Sequence, residues 1–334
     1  MCRVKPLKGT GNRVKGKGEG GKGGERIRGD GDGLIPFPFS PYPLPTLFID
    51  THGRDGLSCN PVNHTDSPDQ ISAIAVIPAR FNSTRLPGKP LLDICGRPMI
   101  VRVCERAHAA ANISRVLVAT DDERIAQAVS AAGYEALMTR ADHPSGSDRL
   151  AEATAALGED FDIVVNVQGD EPLISPRAIE RAVAALREDT EAACATTCET
   201  VGSADDVLSS DVVKVVSDGR GRALYFSRSA IPYPREAARK FGSLVAALEA
   251  EPALLGVFRK HTGLYAYRRA FLLEYARWPQ SALERAESLE QLRMLEHGAR
   301  IRVVETDETS IGVDTPEDLE RVRALFAAGG LKER

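Results

Sequence analysis

ISAIAVIPARFNSTRLPGKPL, residues 71–91, joins an unbroken apolar run to a loop crowded with cations. The run ISAIAVI is short and rich in branched residues, which reads as a strand buried on both faces. The loop holds Arg80, Arg85 and Lys89 among Asn82, Ser83, Thr84, two prolines and Gly88. Beyond it the chain alternates. MIVRVCERAHAA has apolar residues at helical spacing, ISRVLVAT is a strand, and DERIAQAVSAAG is a helix closed by Gly133. YEALM is a short strand, DRLAEATAAL a helix, DIVVNV a strand and PRAIERAVAALRE a helix. Strands alternating with helices of this length predict βαβ units, a mostly parallel Rossmann-like sheet and an α/β fold. Ligands of such sheets gather beyond the carboxyl ends of the strands. The cationic loop lies at such an end.

The texture changes at both sides of this region. Residues 1–70 are rich in glycine, proline and charge and show no apolar periodicity, so they read as a disordered extension. Two origins stay open for them, a genuine extension or a start codon placed too early. The stretch lacks the apolar core of a secretory signal, and its acids and glycines suit an amphipathic presequence poorly. The folded domain is expected over 71–330. Within it, about 220–280 reads as an antiparallel excursion, with VVKVVSDGRGRALYF a hairpin turning at Asp218-Gly219 and HTGLYAYRR another strand. The chain then returns with RIRVVET and a last helix, PEDLERVRALFAAG, capped by Thr315 and opened by Pro316.

Composition narrows the function. Across 334 residues the net charge is −4, which speaks against a general nucleic-acid binder. No apolar run approaches the roughly 18–20 residues that cross a bilayer. The six cysteines form no Cys-x-x-Cys pair and fit reduced, cytoplasmic thiols. Cys194 and Cys198 have no second ligand pair to complete a metal site. Neither a Gly-x-Ser-x-Gly elbow nor a His-Glu-x-x-His helix occurs.

Three strand-end motifs carry the chemistry. The loop of Arg80, Arg85 and Lys89 matches neither the Walker loop nor the dinucleotide glycine pattern, yet its cations suit a polyphosphate. VVNVQGDEPLI places Gln168 and Asp170 past a strand, the carboxylate suited to Mg²⁺ and the amide to a base or sugar. SIGVDTPEDLERV offers Asp314 as a second carboxylate. Two carboxylates with an Arg/Lys cluster suit phosphoryl or nucleotidyl transfer. Each motif also has a plainer reading as a solvated loop or a helix cap.

Taken in order, IPARFNSTRLPGKPL, VATDDERIA, MTRADHPSGSDRLAE, VNVQGDEPLI, VKVVSDGRGRALYFSRSAIPYPR, HTGLYAYRR, LERAESLEQLRMLEHG and GVDTPEDLERVR resemble the 3-deoxy-manno-octulosonate (Kdo) cytidylyltransferases over about residues 72–325. The resemblance implies a glycosyltransferase-A-like nucleotidyltransferase fold with a smaller antiparallel dimerisation subdomain. It implies a cytoplasmic homodimer that makes CMP-Kdo and pyrophosphate from CTP and Kdo with Mg²⁺, for lipopolysaccharide synthesis. Arg80 and Lys89 match the family's phosphate-binding cations, with Ser83 in the same loop. Asp170 and Asp314 match its magnesium-binding carboxylates. Arg140, Ser145 and Arg149 fall among nucleotide neighbours, and Gln168 between nucleotide and sugar. Arg85, His261, Tyr265, Glu290 and Gln291 fall on the sugar side, Arg85 as a partner for the sugar carboxylate. Ser147-Asp148 replaces the Thr-Glu common in the family and keeps the hydroxyl and the carboxylate. Rival expectations are a related acidic sugar, such as 8-amino-Kdo, and a silent nucleotide-binding module.

Overall fold

The computed structural model describes residues 72–81, 86–158, 161–307 and 311–328. The expected disordered extension, residues 1–70, lies outside them. In chain order the strands are β1 (Ala73–Ala79), β2 (Asp93–Ile94), β3 (Arg97–Pro98), β4 (Arg115–Thr120), β5 (Glu135–Met138), β6 (Ile163–Asn166), β7 (Cys194–Thr200), β8 (Lys214–Ser217), β9 (Ala223–Ser227), β10 (Arg259–Arg268) and β11 (Ile301–Glu305). The main sheet runs β11-β7-β10-β6-β1-β4-β5. Pairings β6-β1, β1-β4, β4-β5 and β11-β7 are parallel, as the alternating pattern predicts. β10 enters antiparallel to both β6 and β7 and carries the β8–β9 hairpin on its edge.

β1 is central and shows why its sequence lacks alternation. Ala73, Ala75 and Ile77 pack on one face against the helices Met99–His108 and Pro176–Glu188. Ile74 and Val76 pack on the other, in the layer that holds Leu150 of the helix Gly146–Ala156 and Tyr275. Each isoleucine is fully buried, a contribution of about 1.5–3 kcal/mol per side chain. The hairpin turns as read. The Asp218 carboxylate accepts from the backbone amides of Arg220 and Arg222, and Gly221 takes φ +71°.

Between β9 and β10 lie the short helices Arg235–Phe241 and Leu244–Ala250 and a 3₁₀ segment, Pro252–Val257. They close over a small core of Val201, Val207, Leu248 and Phe258. The last helix, Pro316–Ala327, has the expected Thr315 cap, completed as a capping box by Asp318. Its Leu319 and Val322 pack with Ile94, Met99 and Val313. That docking brings a segment from the far end of the chain back to the cationic loop.

Candidate active site

The loop after β1 returns at Gly88, whose φ of +69° makes the tight turn ahead of Lys89. Lys89 Nζ donates to Asp170 Oδ2 at 2.7 Å, to Asp314 Oδ1 at 3.1 Å and to the Val313 carbonyl at 2.9 Å. Three stretches separated by up to 225 positions thus meet on one ammonium. The backbone holds the arrangement independently, since the Val313 amide donates to the Asp170 carbonyl at 2.9 Å. Burial alone would lower the Lys89 pKa, but the charges and hydrogen bonds of Asp170 and Asp314 outweigh it and hold it above the ordinary lysine value. Both carboxylates stay open to solvent, with side chains 35% and 46% exposed.

Gly169 links this cluster to a cavity. A Cβ at that position would lie 2.9 Å from the Pro78 carbonyl, so only glycine lets the turn after β6 cross the end of β1 so closely. Two residues before Asp170, Gln168 lines a cavity of about 570 Å³ and donates to the Gly263 carbonyl at 3.2 Å. His261, Tyr265, Glu290 and Gln291 line the same cavity. It sits beyond the carboxyl ends of β1 and β6, where the fold class places ligands.

Its wall is polar and partly unsatisfied. Asn166 Oδ1 and Glu290 Oε2 are buried with no hydrogen-bond partner among the described residues. Buried polar atoms are rarely left so. Two around one cavity mark a surface that suits a polar guest. Burial pushes the Glu290 carboxyl upward, against a hydrogen bond from Ser147. Burial also pushes the His261 imidazole down to about 3. His261 is therefore neutral, packed edge-on to Phe226 and within 3.0 Å of the Thr196 hydroxyl through Nε2.

Other expected residues stand elsewhere. Arg80 Nη2 donates to the carbonyls of His143 and Ser145, at 2.7 and 3.0 Å, which fastens the end of β1 to the loop before the helix Gly146–Ala156. The Ser145 side chain caps that helix, accepting from the Asp148 amide. Arg149 is fully buried and holds Thr139 and Asp121, so it braces strand ends from within. Arg140 is 68% exposed and turns to Asp142 and Glu152. Neither arginine lines the cavity. Ser83 and Arg85 lie outside the described residues. Cys194 and Cys198 are buried on β7, and no cluster of three metal-ligating side chains occurs among the described residues.

Asn166, Arg228 and Lys260 line the cavity without having been singled out from the sequence, and Ser147, noted there only as a replacement for threonine, lines it too. Asn166 was within reach, since strand period two puts it on the same face as Gln168. Arg228 follows two residues after the stretch read as a hairpin, within the antiparallel excursion, where nothing local separates a cavity wall from an exposed edge.

Comparisons with known proteins identify the family. Residues 74–301 match the cytidylyltransferase family. A 3-deoxy-manno-octulosonate cytidylyltransferase of Syntrophotalea carbinolica is 56% identical over 254 residues, 76% of this chain and 98% of that protein. The same enzyme of Geobacter sulfurreducens is 54% identical over 252 residues, 75% of this chain and 98% of that one. A CMP:2-keto-3-deoxy-manno-octonic acid synthetase, solved in complex with CTP, superimposes with a TM-score of 0.69 at 48% identity, covering 77% of this chain and 99% of that one. No described helix is long and apolar enough to cross a membrane. On these grounds the chain belongs to the cytidylyltransferase family and, within it, to the 3-deoxy-manno-octulosonate cytidylyltransferases.

Proposed function

We propose that this protein transfers CMP from CTP to the anomeric hydroxyl of Kdo, giving CMP-Kdo and pyrophosphate. One observation carries the reading at the level of the site. Lys89 bridges Asp170 and Asp314, and Asp170 stands two residues along the chain from Gln168 in the wall of a cavity that keeps two buried polar atoms without partners among the described residues.

Asp170 and Asp314 fit a hard divalent cation. Both are oxygen donors, both are open to solvent, and their meeting on one ammonium marks the place as one for positive charge. Two protein carboxylates suit Mg²⁺, which takes its remaining ligands from water and phosphate oxygens. Asp170 and Asp314 would hold the ion, which would supply charge neutralisation for the triphosphate. Lys89, held charged by its acids, faces the phosphates as a point cation, and Arg80 stiffens the loop beside it. Gln168, at the border between the two regions, reads nucleotide or sugar. His261, Tyr265, Glu290 and Gln291 hold the sugar and exclude water.

The anomeric hydroxyl gives up its proton to water as its oxygen attacks the α-phosphorus, the bond from that phosphorus to the bridging oxygen breaks, and pyrophosphate leaves with the electron pair. No histidine base is needed, because an anomeric hydroxyl is more acidic than an ordinary alcohol. His261, neutral through the physiological range, serves as a hydrogen-bonding wall. The protein is expected to act as a homodimer. The segment between β9 and β10, with its neighbour β9, leaves Leu224, Tyr233, Val245 and Val257 exposed, an apolar surface that a second copy would cover.

Pyrophosphate release measured with CTP, Kdo and Mg²⁺ tests the reading. Turnover should require all three. Faster turnover with 8-amino-Kdo would move the acceptor, and CTP binding without release would leave a silent nucleotide-binding module.

A further inference from the structure

Lys214 is the first residue of β8, and its side chain is wholly buried. Its Nζ donates to the carbonyls of Ser209, Val212 and Arg228 at 2.7, 2.6 and 2.7 Å. Three acceptors use all three N–H groups of a charged ammonium, and a neutral amine has only two donors to offer. The carbonyls come from two segments with a shared property. Asp211, Val212 and Val213 of one segment and Arg228 of the other all line the cavity.

Arg228 extends the knot. Its guanidinium donates to the carbonyls of Ser210, Glu287 and Ser288. The Glu287 carboxylate in turn accepts from the Ser227 hydroxyl and the Arg228 amide. Residues 287–288 run directly into Glu290 and Gln291. The His261 amide donates to the Val213 carbonyl at 2.8 Å, which joins β10 to the same loop. One buried ammonium therefore fixes the loop 209–213 and, through Arg228, the turn that presents Glu290. None of these bonds reaches the cluster of Lys89, Asp170 and Asp314.

We infer that Lys214 is a positioning residue for the acceptor sugar: it shapes the sugar end of the cavity without touching the ligand, so Kdo affinity depends on it while CTP affinity and the chemical step do not. The inference rests on the assignment of this cavity to Kdo.

Lys214→Met leaves three buried carbonyls without donors and risks the fold. Lys214→Gln keeps two donors on a side chain of similar reach and is the deciding variant. The measurements are KM for Kdo, KM for CTP, kcat and melting temperature. For the glutamine variant, KM for Kdo is expected to rise about 10-fold, with kcat and KM for CTP held within about 2-fold. Lys214→Met, where it folds, should raise KM for Kdo further in the same direction. Equal losses in kcat and in both KM values would reduce Lys214 to a structural strut and overturn the inference, as would unchanged KM for Kdo. Failure of the wild-type protein to use Kdo would remove the functional reading instead. The two failures are separable, since one appears in the control and the other only in the variant.

Discussion

Gly169 allows the smallest decisive change in this protein. Adding one methyl group there sets carbon 2.9 Å from the Pro78 carbonyl, a backbone atom that cannot step aside. Gly169→Ala should therefore displace Gln168 and Asp170 together, lowering kcat by at least about 10-fold while the far sheet stays folded. Steady-state kinetics with circular dichroism would check it. Asp170→Asn removes charge without changing shape. A loss of at least about 100-fold in kcat is expected, the scale of removing one electrostatic catalytic group. His261 gives a third outcome, in stability. Its pKa falls from 6.5 to about 3 on folding. Between those values the unfolded chain binds a proton that the folded chain refuses, so stability drops as pH falls through that window. Allowing for the cavity's contact with solvent, the loss by pH 5 is about 1 kcal/mol, and His261→Gln should flatten it in urea titrations at pH 5 and pH 7. Single residues were legible in the sequence where charge followed a strand, as with Lys89, Asp170 and Asp314. Arg140 and Arg149 carry the charge of Lys89 in a similar setting. What separates them is the company of Asp142, Glu152, Thr139 and Asp121, which only folding assembles.

The elements divide along similar lines. β1, β4 and β6 and the long helices announce themselves, because a strand buried on both faces is uniformly apolar and a covered helix is periodic. β7 did not. Its sequence, CATTCET, mixes threonine and cysteine without alternation, yet it is buried between β10 and β11. Its threonine hydroxyls find acceptors there. Thr196 donates to the Leu264 carbonyl at 2.7 Å and Thr197 pairs with Thr262. Polar residues tolerated inside a sheet hide it from a hydrophobic reading. The last helix bears on activity through its start. Thr315 follows Asp314 directly and shares the capping box with Asp318. Thr315→Ala should destabilise the protein by about 1 kcal/mol and lower kcat beyond what that loss explains, because the frayed cap carries Asp314 with it. Comparing urea midpoints with rates at a denaturant-free temperature well below melting would separate the two effects.

Across the whole molecule, the curated relatives are covered to 98% of their lengths by about three quarters of this chain. The family match begins at residue 74, and every residue of the candidate site falls among 80–314. Removing residues 1–70 should therefore leave kcat and both KM values within about 2-fold, as no group of the proposed mechanism lies there. Assay of the shortened protein, with light scattering to count subunits, would check this and the expected dimer together. The division into a parallel sheet and an antiparallel excursion was legible from the spacing of strands and helices. The insertion of β10 between β6 and β7 was not, because strand order depends on distant pairings that no local pattern records.

The long span between Lys89 and Asp314 has a bearing on biosynthesis. A ribosome delivers β1 to β10 and one carboxylate, Asp170, well before it delivers the second, and the last strand only shortly before it. Until then the emerging polypeptide lacks the full pair that would grip a metal-laden nucleotide. Competence arrives late, when the tail docks and Asp314 joins the older pair.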